Sequence, residues 1–303
     1  MKDDMPYTPD PMPFAGSSLD FMEIGRTSEQ IKTYLDDPKA KAFIFVKGRP
    51  ALNEDLSPIM PHPKELIGQT HYDPGPLFLG LRDSDPIFAF NLAEDNQAAP
   101  PESFQELRMI ASRMNPDDLA TIGRARSFLD WHYNHNYCSK CGQKTQAELS
   151  GLFRKCPSCE TEHYPRVNPV VIMMVIHEDH CLLGAGHNFP EGAFSALAGF
   201  VSPGETPEAA VLREVQEEVG LKVTKPRYIF SQPWPFPSQL MMGYTCEALS
   251  REITINKEEL RAAKWVSKQT VRDVFDKKSD AFLRPPRFTI AHHLLRRWID
   301  EET

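Results

Sequence analysis

Three glutamates, at positions 214, 217 and 218, constrain this 303-residue chain more than any other feature. They lie in a run from Thr206 to Gly220 that opens with a capping residue, places Pro207 where the first helical position would be, and closes on a glycine. The spacing predicts a helix over 207–219. The three carboxylates occupy an arc of about 100° on one face, beside an apolar stripe of Val211, Val215 and Val219. Like charges so arranged destabilise a helix unless something neutralises them, and clustered carboxylate oxygens suit hard divalent cations such as Mg²⁺ or Mn²⁺. Taken alone, the run also fits a solvated acidic face.

Strand and helix signals alternate around this segment. Residues 170–176 and 181–183 flank the polar turn Glu178-Asp179-His180, and 196–201, 228–231 and 240–248 read as further strands. Residues 289–299 read as an amphipathic helix with Ile290, Leu294 and Ile299 inward and Arg296 and Arg297 outward. The first 130 residues differ. Apolar runs at 41–46, 77–81 and 87–90 are β-like, the last two joined by Asp83-Ser-Asp-Pro86. Asn115-Pro-Asp-Asp118 opens a helix expected to end near Trp131. Nothing in this part carries evident chemistry, so a β-rich scaffold or dimerisation unit is expected of it.

The cysteines define a third region between the two. Four of the six stand as Cys138/Cys141 and Cys156/Cys159, a C-x2-C-x14-C-x2-C pattern with the spacing of a zinc ribbon. Four thiolates close a tetrahedral shell and leave no open position, so the site is structural. Zinc is the expected ion, one per chain, with an iron or iron–sulfur site as the alternative. His132 and His135 lie nearby and are expected on the surface or as caps.

The net charge of −8 excludes a global electrostatic footprint for duplex nucleic acid. No apolar run approaches the roughly 20 residues of a membrane span, and the acidic, proline-broken N-terminus is unlike a signal peptide. Cytosol is the expected compartment, in keeping with cysteines paired for metal.

The whole stretch from Gly199 to Leu221 reads G-x5-E-x7-R-E-V-x-E-E-x-G-L and resembles the signature of the Nudix hydrolases at every defined position. The resemblance implies metal roles for Glu214, Glu217, Glu218 and the carbonyl of Ala198, catalysis by the glutamates, with Glu217 a candidate for holding or deprotonating the water, and a structural role for Arg213 and Glu205. Ser231-Gln232-Pro233-Trp234-Pro235-Phe236-Pro237-Ser238 is similar to the S-Q-P-W-P-F-P-x-S array of the NADH pyrophosphatase family, although Gln239 stands where that family has serine. The zinc ribbon ahead of the box completes that family's layout.

This second resemblance implies an α/β fold: a Nudix α/β/α sandwich with a mixed sheet, preceded by a zinc ribbon and a β-rich N-terminal domain. The expected boundaries are 1–131, 132–163 and 164–303. It implies a further metal glutamate at Glu259, and substrate contacts from Tyr164, Phe200, Ala291 and the array. It also implies a homodimer that hydrolyses NADH or NAD⁺ to a nicotinamide mononucleotide and AMP, and that removes NAD caps from RNA 5′ ends. Arg284, Arg287, Arg296 and Arg297 are candidates for an RNA tail. The rival readings are another Nudix substrate, such as ADP-ribose or a diadenosine polyphosphate, and a non-catalytic nucleotide or RNA binder.

Overall fold

The computed structural model describes residues 7, 9, 11–69 and 75–301. Contacts divide the chain into two compact units: Pro13–Val167 with Pro233–Ser238, and Asn168–Gln232 with Gln239–Thr303 and the N-terminal residues up to Met12.

In the first unit, α1 (Ser28–Asp36) starts at a capping box in which Thr27 and Gln30 satisfy each other's backbone N–H groups. Strands β1 (Lys41–Val46) and β2 (Arg49–Pro50) follow, then the short helix α2 (Pro63–Leu66). Next come β3 (Leu77–Arg82) and β4 (Asp85–Asn91). The sheet order is β2-β1-β4-β3, with β1 parallel to β4. The β3–β4 hairpin turns at Asp83 and Ser84, both with positive φ, as a two-residue turn that follows strand twist requires. Ile44, Phe78, Phe88, Phe90 and Leu66 fill the core beneath, each buried side chain contributing about 1.5–3 kcal/mol.

After α3 (Leu107–Ile110), α4 (Pro116–Asn134) is capped by Asn115, whose side-chain oxygen accepts from the N–H groups of Asp117 and Asp118. It runs three residues past the expected end because its last turn has buried work to do. His132 is fully buried, not the surface or capping residue expected. Its Nε2–H donates to the Gly151 carbonyl at 2.8 Å, and its Nδ1 accepts from the Arg154 guanidinium at 3.2 Å. His135 does cap the helix, bonding the Trp131 carbonyl at 2.8 Å. Arg154, also fully buried, donates to the hydroxyl and carbonyl of Thr145. The small sheet β5 (Gln146–Glu148), β6 (Phe153–Lys155), β7 (Glu162–His163) is thereby held to α4.

The second unit is built on a mixed sheet. Its strands are β8 (Asn168–His177), β9 (His180–Gly186), β10 (Leu197–Phe200), β11 (Val223–Trp234), β12 (Gln239–Ala248) and β13 (Leu260–Ser267). The order is β11-β12-β8-β9-β13, with β12 parallel to β8. Strand β8 carries two further partners along its length: β10 lies antiparallel opposite Val170–Met173, and β9 opposite Val175–His177. The helices are α5 (Pro207–Val219), α6 (Lys268–Phe275) and α7 (Ile290–Asp300).

Side chains alternate across a strand. Val171, Met173 and Val175 meet Val211, Val215 and Val219 of α5 on one face. On the other, Gly243 opposite Ile172 lets α7 approach: a Cβ there would lie 3.1 Å from Leu294 and 3.3 Å from Ile290. The architecture is the expected α/β/α arrangement. None of the described helices is long and apolar enough to cross a membrane.

Candidate functional site: a carboxylate cluster at the box helix

Helix α5 starts and stops where the sequence predicts. Thr206 Oγ1 accepts from the N–H of Ala209 at 3.2 Å, and Gly220 ends the helix with φ 68°. Its glutamates part company. Glu214 and Glu218 are 9% and 7% exposed, whereas the Glu217 side chain is 48% exposed. Helical geometry explains this: at about 100° per residue, Glu217 lies on the far side of Glu214 from the buried valine stripe. The structure brings Glu214 and Glu218 together with Glu259, just before β13, one ligand oxygen of each lying within 4.8 Å of the others. Glu217 instead turns to Arg213.

Arg213 organises the rim of this cluster. Its Nε and Nη2 donate to the two oxygens of Glu205 at 2.9 and 3.0 Å. Nη1 donates to Glu214 at 2.8 Å and Glu217 at 2.9 Å, and Nη2 also to the Phe200 carbonyl at 2.8 Å. These bonds occupy all five guanidinium N–H groups, which lysine could not replace. Glu205 also accepts from the Ser202 N–H, fixing the loop that enters the helix. The structural role expected of Arg213 and Glu205 is visible in these bonds.

Electrostatics of the trio call for a cation. Burial pushes the Glu218 carboxyl up to about 8, and the charges of Glu214 and Glu259 act in the same direction. Glu214 is also raised by burial, against the pull of Arg213. Glu218 Oε2 is buried with no hydrogen-bond partner, a costly state for a carboxylate. A hard divalent cation fits these oxygen donors and would remove both the repulsion and the orphaned atom.

Gly199, on β10, is part of the fit: a Cβ on it would lie 1.8–2.2 Å from the Glu214 carboxylate. Ala198, the residue before it, is exposed beside this contact. Gly199→Ala is therefore expected to displace Glu214 and lower divalent-cation affinity about 10-fold or more, with the melting profile of the zinc-loaded protein nearly unchanged. Calorimetric titration with Mn²⁺ checks this, and unaltered affinity would contradict the placement of Glu214.

The four cysteines form the second metal-type cluster among the described residues. Cys138 and Cys159 sulfurs lie 3.6 Å apart, and those of Cys141 and Cys156 lie 3.5 Å apart. A tetrahedral ion with 2.3 Å bonds needs edges of about 3.8 Å, so the thiolates are already arranged for one. His163 Nε2 lies 3.3 Å from the Cys138 sulfur and Thr161 Oγ1 3.2 Å from that of Cys159, orienting contacts around the ligands.

Residues 166–285 match the family model of the NUDIX domain, and 134–164 that of the NADH pyrophosphatase zinc ribbon domain. Residues 39–131 match an NADH pyrophosphatase-like rudimentary NUDIX domain. The chain is 33% identical over 217 residues to the NAD-capped RNA hydrolase NudC of Pseudomonas aeruginosa (strain LESB58), covering 72% of this chain and 74% of that protein.

The chain belongs to the NADH pyrophosphatase family of Nudix hydrolases.

It is also 37% identical over 240 residues to the human mitochondrial NAD(P)H pyrophosphatase NUDT13, covering 75% of this chain and 68% of that protein. With the human NAD-capped RNA hydrolase NUDT12 it is 46% identical over 198 residues, 62% of this chain. The chain covers only 43% of that longer relative. Membership of the family assigns the four-cysteine cluster to structural zinc and not to iron. It also explains the silent N-terminal part: this is a rudimentary Nudix domain whose long helix α4 contains no glutamate at all.

The family's proline–aromatic array is part strand and part turn. Ser231 to Trp234 continue strand β11, and only Pro235–Ser238 form the turn. Gln232 is fully buried: its amide donates to the Phe288 carbonyl at 2.9 Å and its oxygen accepts from the Ile290 N–H at 2.8 Å. It fixes the start of α7, where Ala291 is buried in the first turn. Half-buried Trp234 and Phe236 pack edge-on against Phe14, with Arg108 over both rings and Arg126 over Phe236. Pro235 and Pro237 give their carbonyls to Arg126 and Ser127, and Ser238 donates to the Arg166 carbonyl. Phe14, Arg108 and Arg126 were not predicted, and no spacing rule links them to an array so distant in sequence. Tyr164 stacks on Phe153 and donates to Glu162, while Phe200, the second residue of the box, is 53% exposed.

Proposed function

We propose that the chain hydrolyses the diphosphate bond of NADH or NAD⁺, giving a nicotinamide mononucleotide and AMP, and that it removes NAD caps from RNA 5′ ends by the same cleavage. The observation that carries this reading is the cluster of buried Glu214 and Glu218 with exposed Glu259, in which one Glu218 oxygen has no hydrogen-bond partner. The names of the relatives supply the substrate class.

Glu214, Glu218, Glu259 and the Ala198 carbonyl would hold Mg²⁺ or Mn²⁺, which neutralises diphosphate charge and acidifies a water. Glu217, at the exposed edge and oriented by Arg213, is the carboxylate suited to join them or to accept the water's proton. Phe200, Tyr164, Trp234 and Phe236 are the proposed base contacts; Ala291 and Ser231 complete that set, with Gln232, Pro233, Pro235, Pro237 and Ser238 shaping the array. The segments 1–131, 132–163 and 164–303 are the proposed domains, with a homodimer as the assembly. Reduced, metal-type cysteine pairs support a cytosolic location.

A panel of NADH, NAD-capped RNA, ADP-ribose and a diadenosine polyphosphate, compared by kcat/KM, tests the substrate. NADH or capped RNA is expected to lead by 10-fold or more, about 1.4 kcal/mol of transition-state preference. A lead for ADP-ribose would overturn the assignment, and metal-independent binding with no product would establish the binder.

A further inference from the structure

Between α6 and α7, the second unit encloses a recess of about 330 Å³ lined by charges of one sign. Arg284 and Arg287 reach it from the connecting segment and Arg296 from α7, and no Asp or Glu among the described residues lines it. Its walls are flat rings. Phe275 and His292 stack at 4.9 Å, and Tyr7 stacks on His293 while its hydroxyl meets His293 Nδ1 at 2.9 Å. Burial pushes His292 down to about 4 and lowers His293 as well, so both rings are neutral at pH 7. The positive charge therefore rests on the arginines.

Those arginines are under-used. Arg296 pairs through Nε with Asp300 at 2.7 Å. Arg284 makes only a 3.4 Å bond to the Phe275 carbonyl. The Arg287 guanidinium is exposed and has no hydrogen bond or ion pair to any described residue. Arg297 belongs elsewhere, bonded to Glu301 and the Tyr7 carbonyl. Arg284 and Arg287 have no carboxylate partner among the described residues, so their charges repel one another, and their planar forks match phosphate oxygens.

We propose that this recess is a phosphate-binding site. A nucleotide phosphate is the chemistry it fits, because aromatic walls adjoin the guanidiniums. The phosphate has two sources, the backbone of a single-stranded polynucleotide or a free mononucleotide. The site does not depend on the hydrolytic reading, since its binding is measured without turnover.

The test uses the zinc-loaded full chain with no added Mg²⁺ or Mn²⁺. A short fluorescent oligoribonucleotide is followed by anisotropy and AMP by calorimetry, in wild type, Arg287→Gln, Arg287→Lys and Arg284→Gln/Arg287→Gln. Because Arg287 is exposed, the single variants are expected to keep the wild-type melting profile.

The double variant should bind the oligomer at least about 10-fold more weakly, and its salt dependence should flatten by about 1.4 for two lost contacts. Arg287→Lys should keep much of the affinity. Loss confined to the oligomer assigns the site to a polynucleotide backbone; loss for AMP assigns it to a mononucleotide. Equal binding by wild type and double variant, or no binding of either probe by wild type, overturns the site.

Discussion

Glu218→Gln is expected to abolish hydrolysis and at the same time to stabilise the protein free of divalent cations. The two effects have opposite signs because they come from one feature, a buried carboxylate whose own fold does not neutralise it. Removing a ligand oxygen from the trio should lower kcat/KM on the order of 10³-fold, about 4 kcal/mol.

Stability follows from proton linkage. The folded-state carboxyl is pushed up to about 8 from an ordinary value of 4.5. Between those values the folded chain holds a proton that the unfolded chain has released, so stability falls as pH rises through that window. Melting temperature in wild type should therefore drop between about pH 5 and 8 without divalent metal. The drop should shrink when Mg²⁺ is added and in Glu218→Gln. Exposed Glu217→Gln should leave stability within about 0.5 kcal/mol. Thermal melts over this range decide it: a Glu218→Gln variant that melts below wild type at pH 8 would show that the trio carries no such cost.

Loss of zinc should be the larger structural event. Cys156 is fully buried and Cys138 nearly so, and the ribbon's three strands are two or three residues long. So small a sheet cannot bury a core of its own, and the metal supplies its folding free energy. Cys156→Ser is expected to reduce bound zinc from about one ion per chain to about a tenth of that or less. It should destabilise the unit around α4 by several kcal/mol, on the order of 3–5, because Gly151 and Arg154 would no longer be held to His132. Mass-spectrometric metal analysis beside a melting curve reads both. Full zinc occupancy in the variant, or an unchanged melt after zinc loss, would contradict a structural role.

Much of this was legible in the sequence because local rules governed it. Thr206, Pro207 and Gly220 mark the ends of α5 through capping chemistry alone, and the two Cys-x2-Cys pairs carry their own spacing. Residues 41–46, 77–82 and 85–91 form strands near their predicted limits for the same reason.

What periodicity could not resolve was which carboxylate faces which neighbour. Glu217 shares an arc with Glu214 and Glu218, yet Arg213 draws it to the rim, and the third member of the trio arrives from Glu259. For His132 the sequence suggests a surface or capping place, because a polar side chain late in a helix usually has one. Its buried partners, Gly151 and Arg154, lie 19 and 22 residues further on. Gln232 is likewise fixed by a partner distant in sequence, the Ile290 N–H at the start of α7, 58 residues on.

The most direct test of the carboxylate site is product analysis. Purified chain is incubated with NADH and Mg²⁺ or Mn²⁺, beside a reaction without divalent metal and one with Glu218→Gln, and the products are separated by chromatography. Reduced nicotinamide mononucleotide and AMP in equal amounts, absent from both controls, is the predicted result. Intact NADH after long incubation, or the same products in either control, would contradict it.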